Sequence, residues 1–279
     1  MDRLEKALQK AREQREQAIA GGEAATAAPP PVAAPSQPAP PPAPAPAARG
    51  APGGQRVLFE DDLLDSNRIV AQRKRDADAD MFRMLRTKVL QMMGRDKLRT
   101  LAITSPNYGD GKTTVATNLA MSLALDVKQT VLLVDLDLRK PDLCRFLGIT
   151  PDVGLSDYLL HDAPVMDCMV KPGIERLVLL PTANVVDNSS EILGTPKMVT
   201  LATELKTRYA DRIVIYDMPP LLTQDDTIAF LPNVDGVLLV VRDGVTKRDD
   251  LDYCLHLLEN TNLLGTVLNS SPERIARKA

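Results

Sequence analysis

The chain has 279 residues, 44% of them hydrophobic, enough for an ordinary core in one large domain or two small ones. Its formal charge of -3 excludes attraction to nucleic acid or anionic lipid by net charge alone, so recognition is left to local sites and no nucleic-acid partner is expected. Cys144, Cys168 and Cys254 form no CxxC pair and read as reduced packing residues of a cytosolic protein.

Met1 to Gln17 is densely charged and lacks the apolar stretch of a signal peptide, which points to a cytoplasmic location. The longest apolar runs, Val131 to Val134 and Val237 to Val241, fall far short of the roughly 20 residues a membrane helix needs and have strand length instead. Residues 1–20 are strong helix formers, with Leu4, Ala7, Leu8 and Ala11 on one face of a short amphipathic helix. Such a helix is either a solvated, fraying element or a docking element for another protein. Residues 21–56 are rich in Ala and Pro, a composition that favours extended polyproline II and reads as a disordered linker. Residues 57–279 have globular composition and are expected to form the folded domain.

In that part a helix is expected from about Asp80 to Met93, with Phe82, Leu85, Val89, Leu90 and Met93 as its apolar stripe and Arg83 and Arg86 on its other face. The charge run Arg73 to Arg75 before it reads as a solvated face. Strand and helix patterns then alternate. A strand at Thr100–Thr104, a helix from Lys112 to Leu125 and a strand at Val131–Asp135 make a βαβ unit. Further strands are expected at 177–180, 212–216, 236–241 and 265–268, with helices near 197–209 and 247–260. The expected fold class is α/β, with a mostly parallel sheet and helices on both faces.

Between the first strand and its helix the chain reads Ser105-Pro106-Asn107-Tyr108-Gly109-Asp110-Gly111-Lys112-Thr113-Thr114. Gly109 and Gly111 allow a tight turn whose amides converge on phosphate oxygens, Lys112 reaches the β and γ phosphates, and the Thr113 hydroxyl can ligate magnesium. This is a P-loop in context, although Pro106 stands where the strict pattern has its first Gly. Tyr108, Gly109, Asp110, Gly111, Lys112, Thr113 and Thr114 are the expected nucleotide-binding residues, and ATP with magnesium the expected cofactors. The next strand leads into Asp135-Leu136-Asp137, two carboxylates that point to one side if strand geometry persists; a helix cap with a surface acid is the bland alternative. The strand Ile213 to Tyr216 delivers Asp217, followed by Met218-Pro219-Pro220, in the form of a Walker B acid.

Together these residues resemble the bacterial tyrosine kinases of capsule and exopolysaccharide synthesis, which are related to the MinD and ParA ATPases. The resemblance spans about Asp80 to Asn269. It implies that Lys112 and Thr113 are the Walker A pair, Asp135 and Asp137 the additional Walker A′ acids, and Asp217 Walker B. Lys112, Asp135 and Asp137 are then the catalytic residues, with Thr113, Asp135, Asp137 and Asp217 around the metal. Arg139 fills the place of an arginine two residues past the second acid, Asp226 that of an acid after the Pro-Pro turn, and Asn269 that of the residue approaching the adenine.

Asp80, Arg83 and Arg86 match the spacing of the family's Glu-x-x-Arg-x-x-Arg oligomerisation motif, with Asp in place of Glu, which implies a homo-oligomer. The implied partner is a membrane chain-length-determinant protein, a polysaccharide co-polymerase, placing the chain at the inner face of the membrane. Two features depart from the relatives. Asn107 stands where MinD and ParA carry a second lysine, and the C-terminal tyrosine cluster of the kinases is absent, the five tyrosines being Tyr108, Tyr158, Tyr209, Tyr216 and Tyr253. The expected function is an ATP-dependent tyrosine kinase regulating exopolysaccharide synthesis or chain length; the alternatives are an ATPase switch without kinase activity and, more distantly, a nonenzymatic adaptor.

Overall fold

The computed structural model describes residues 55–56, 59 and 61–272. The expected helix of residues 1–20 and the Ala/Pro-rich stretch up to residue 54 lie outside the described residues. At the start of what is described, Gln55–Arg56 forms a two-residue strand, β1, ahead of the Val57 boundary drawn from composition. Helices α1 (Asp61–Ser66) and α2 (Ala77–Asp96) follow, then β2 (Thr100–Thr104), α3 (Lys112–Ala124) and β3 (Thr130–Asp135). The chain continues through α4 (Leu143–Leu147), α5 (Leu155–His161), β4 (Val170–Lys171), β5 (Leu177–Leu180), α6 (Ser189–Leu193) and α7 (Pro196–Thr207). It closes with β6 (Arg212–Asp217), α8 (Asp226–Phe230), β7 (Gly236–Arg242), α9 (Arg248–Leu257) and β8 (Leu263–Asn269).

The strands form one eight-stranded sheet in the order β1-β4-β5-β3-β6-β2-β7-β8. Every neighbouring pair is parallel except β4 with β5. The central strands are continuous apolar runs because both faces of the sheet are covered, and their side chains alternate between two cores. On β6, Ile213 and Ile215 join a core formed with α2, α3 and α4, while Val214 and Tyr216 join another formed with α5, α6 and α7. On β3, Val131 and Leu133 go to the first core and Leu132 and Val134 to the second.

Helix α3 is the most enclosed, with Leu119, Ala120, Leu123 and even the polar Asn118 fully buried. Asn118 is accommodated because its amide oxygen accepts from Val70 and Ala71 N–H, while its nitrogen donates to the Arg68 and Thr114 carbonyls. Helix α2 begins earlier than its apolar stripe suggests, because Asp76 caps it, accepting from the Asp78 and Ala79 amides. Arg73, expected on a solvated face, pairs with Asp65 and lies 3.4 Å from that capping acid. Strands β1 and β4 and the short helices α1, α4, α5, α6 and α8 were not expected, since elements of two to seven residues carry too little periodicity to read. Among the described residues no helix is long and apolar enough to cross a membrane.

Candidate functional site

Strand order decides where the chemistry lies. Strand β6 sits between β3 and β2, and the register pairs Asp217 with Asp135 on one side and with Ile103 on the other. The loop after β2 and the acids ending β3 and β6 therefore meet at one carboxyl edge of the sheet, where doubly wound folds place their ligands.

The loop from Ser105 to Gly111 wraps into the N-terminus of α3, where free amides and the helix dipole favour an anion. Gly109 and Gly111 have φ of +87° and +97°, a region that side-chain-bearing residues rarely adopt, and a methyl group on Gly111 would run into the Asn269 amide. The loop is tied on two sides. Leu221 N–H donates to the Ser105 carbonyl (2.9 Å) and Leu222 N–H to that of Pro106 (3.2 Å), anchoring it to the turn after β6. On the other flank Asp110 accepts from the Thr246 hydroxyl (3.1 Å), Asn107 donates to Asp250 (3.0 Å), and Asn269 donates to the Asp110 carbonyl (2.8 Å). Asn269 thus lies against the P-loop, at Gly111 and Asp110.

Lys112 and Thr113 are buried, and the Lys112 ammonium lies 2.9 Å from Asp137 Oδ2, 3.9 Å from Asp217 Oδ1 and 3.4 Å from the Thr113 hydroxyl. Burial by itself would lower the lysine's pKa. The charges of Asp217, Asp137 and Asp135 outweigh it and hold Lys112 above the ordinary lysine value, so the ammonium is protonated throughout the physiological range. Burial pushes Asp217 up to about 6 against the opposing pull of Lys112 and the Thr113 hydroxyl. Asp135 is raised well above the usual carboxylate range by burial and then by the charge of Asp217. Its oxygens accept from the Asp137 and Leu143 amides (3.1 and 3.2 Å), and its carbonyl from the Thr182 hydroxyl (2.8 Å), so the chain turns sharply here with both acids facing inward. The surface-acid alternative fails for Asp135 and Asp137, which are fully buried.

The fit to a metal follows from these acids. Asp137 Oδ2 and both oxygens of Asp217 are buried without a hydrogen bond of regular geometry. Among the described residues no group of three or more His, Cys, Asp or Glu side chains could enclose an ion alone. A hydroxyl and one or two carboxylates beside a phosphate cradle suit magnesium, which keeps several waters and takes phosphate oxygens as ligands.

Two residues that the motifs did not single out, Gln224 and Ser189, join Tyr108, Arg139 and Asp226 at the mouth. Gln224 Nε2 donates to the Tyr108 hydroxyl (2.8 Å) and lies 3.5 Å from Asp137 Oδ1. Arg139 donates to the Ser189 hydroxyl (2.8 Å) and lies 3.5 Å from Asp226, whose carboxyl is raised by burial. Gln224 sits in a loop with no local pattern and could not be read from sequence.

Asp80, Arg83 and Arg86 are not part of this centre. On α2, Asp80 pairs with Arg83, which also donates to the Arg73 carbonyl (2.6 Å), while Arg86 donates to the Ser122 carbonyl of α3 (2.9 Å).

Residues 98–259 match the family described as an AAA domain. Over 210 residues the chain is 32% identical to the succinoglycan biosynthesis transport protein ExoP of Rhizobium meliloti, covering 74% of this chain but only 26% of that relative. It is 30% identical to the tyrosine-protein kinase YwqD of Bacillus subtilis, covering 74% of this chain and 86% of that one. Among solved structures, the chimerical protein CapA2B2 superposes with a TM-score of 0.67 at 28% identity, over 80% of this chain and 95% of the other.

Proposed function

This chain belongs to the bacterial tyrosine-kinase family of P-loop ATPases, and from that premise we propose that it uses ATP and magnesium to transfer the γ-phosphoryl group to a tyrosine, regulating exopolysaccharide synthesis or chain length. The observation that carries the reading is one buried cluster in which Lys112, Thr113, Asp137 and Asp217 face each other beside the P-loop.

In this reading the loop amides from Tyr108 to Thr114 hold the triphosphate, and Lys112, poised against two carboxylates, stabilises charge on the transferred group. Thr113, Asp137 and Asp217 would hold magnesium, which when bound neutralises charge between the phosphates. Asp135 is the proton acceptor for the attacking hydroxyl, a role supported by its carboxylate at the end of β3, level with Asp217 and beside Asp137. Asn269 would approach the adenine, a role supported by its position against Gly111 and Asp110.

Two broader parts of the proposal rest on relatives and on surface residues. The resemblance to ExoP, a biosynthesis transport protein of which this chain matches about a quarter, supports work alongside a membrane chain-length-determinant protein at the cytoplasmic face. The exposed Met81 and Met84 beside Asp80, Arg83 and Arg86 support self-association through α2.

Incubating the full chain with magnesium and γ-labelled ATP tests the central reading. Tyrosine label and phosphate release are expected, both falling by about 10²-fold or more in Lys112→Met. Phosphate release with no label on this chain or an added tyrosine polymer would favour an ATPase switch. The absence of both signals would overturn phosphoryl transfer altogether.

A further inference from the structure

Each of the five tyrosines can be weighed as an acceptor by its surroundings. Tyr216 is fully buried on β6, edge-on to the Phe230 ring at 4.9 Å. Tyr158 and Tyr209 are half-buried, with Lys197 and Arg212 over their rings at 4.9 and 3.9 Å. Tyr253 is exposed on α9, outside the P-loop. Tyr108 differs from all four: it lies within the phosphate-binding loop and is 38% exposed. Its ring is 5.9 Å from the Lys112 ammonium and 4.8 Å from that of Lys140. Its hydroxyl accepts from the same Gln224 nitrogen that lies 3.5 Å from Asp137. One amide group therefore separates this phenol from the carboxylate beside the catalytic lysine.

We propose that Tyr108 is a phosphoacceptor of this chain, taking the γ-phosphoryl group of ATP held in its own P-loop. The inference rests on the phosphoryl-transfer reading of the site and adds to it the identity of an acceptor. In the step, the phenolic oxygen bonds to the γ phosphorus, and the bond from that phosphorus to the β–γ bridging oxygen breaks. ADP leaves with the electron pair, and the phenol proton passes to a carboxylate of the Asp135–Asp137 pair. Gln224 donates to the phenol oxygen, so it occupies a lone pair and leaves the hydroxyl proton for the carboxylates.

The product is self-limiting. A phosphotyrosine brings a charge of about −1.5 to −2 beside Lys112 and Lys140, where it competes with the phosphates of a second nucleotide. Incorporation should level off at a single phosphate per chain, and ATP should bind the modified protein more weakly.

The test uses the full chain with magnesium and γ-labelled ATP, phosphosite mapping by mass spectrometry, and a range of protein concentrations. Label on Tyr108, retained in Tyr253→Phe, absent in Lys112→Met alone and formed at a rate per chain independent of concentration is the expected result. Lys112→Met chains mixed with wild type should stay unlabelled; label on their Tyr108 would overturn same-chain transfer. Label confined to Tyr253 or another residue would overturn the inference while leaving the kinase reading intact, as would phosphate release with no label on the chain. Absence of both label and phosphate release would overturn the inference together with the reading beneath it. Because the site is mapped in unmodified protein, the result does not depend on a Tyr108 variant folding.

Discussion

Two sites that pair aspartate with a basic side chain, one at the carboxyl edge of the sheet and one on α2, differ in their exposure to solvent. At the carboxyl edge of the sheet, Lys112, Asp135, Asp137 and Asp217 are all at most 5% exposed. On α2, Asp80 and Arg83 form the same kind of pair with side chains 37% and 31% exposed. Water screens the second pair, leaving an interaction worth about 0–1 kcal/mol. It is excluded from the first, where a charge left with no partner at all would cost about 3–5 kcal/mol, and Lys112 has both Asp137 and Asp217. Similar residues thus serve as a charged device in one place and a surface contact in the other.

The sharpest way to break the buried group is Asp217→Asn. Phosphate release should fall about 10²- to 10³-fold, while stability without metal or nucleotide should move the other way. Burial raises Asp217 in the folded chain to about 6, above its unfolded value, so between about pH 4 and 6 the folded state binds more protons. Its favourable contribution is present at low pH and is lost as pH rises through about 6. The variant should therefore be more stable than wild type at pH 8, by about 3 kcal/mol at most, and the advantage should vanish toward pH 4; urea denaturation at both values measures it. A variant uniformly less stable would show that Lys112 depends on Asp217 more than on Asp137.

An intermediate effect is expected where α3 packs on the sheet beneath both groups. Leu119→Ala should cost about 2–5 kcal/mol in chemical denaturation, since the buried site cannot collapse around the lost atoms. The smallest effect belongs to α2. A double-mutant cycle on Asp80 and Arg83 should give a coupling of about 0–1 kcal/mol in the monomer. If α2 mediates self-association, Asp80→Ala should delay elution on size-exclusion chromatography without changing monomer stability; unchanged elution would remove that role.

Much of the centre was legible in the chain because its signals are local. Gly109 and Gly111 before Lys112 between a strand and a helix, and an Asp at the end of an apolar strand, keep their meaning wherever those strands lie in the sheet. Strand types and the long helices were legible for the same reason, since periodicity and apolar runs are short-range properties. The two-residue strands β1 and β4 were not, because two residues carry no period and, in β1's case, the pairing depends on a partner more than a hundred residues away.

What the amino-acid sequence determined by itself is therefore the set of groups: a P-loop, two acids after one strand and one after another. Only the tertiary structure decided how they act. Placing β6 between β3 and β2 brings Asp217 level with Asp135, and covering both faces of the sheet removes the water that would otherwise separate and screen these charges. It also delivered Gln224 from an unpatterned loop to Tyr108 and Asp137, a contact spanning 116 residues to the first and 87 to the second. Such contacts lie beyond local reading because burial, charge coupling and proton affinity belong to the folded surroundings of a side chain rather than to its neighbours in the chain.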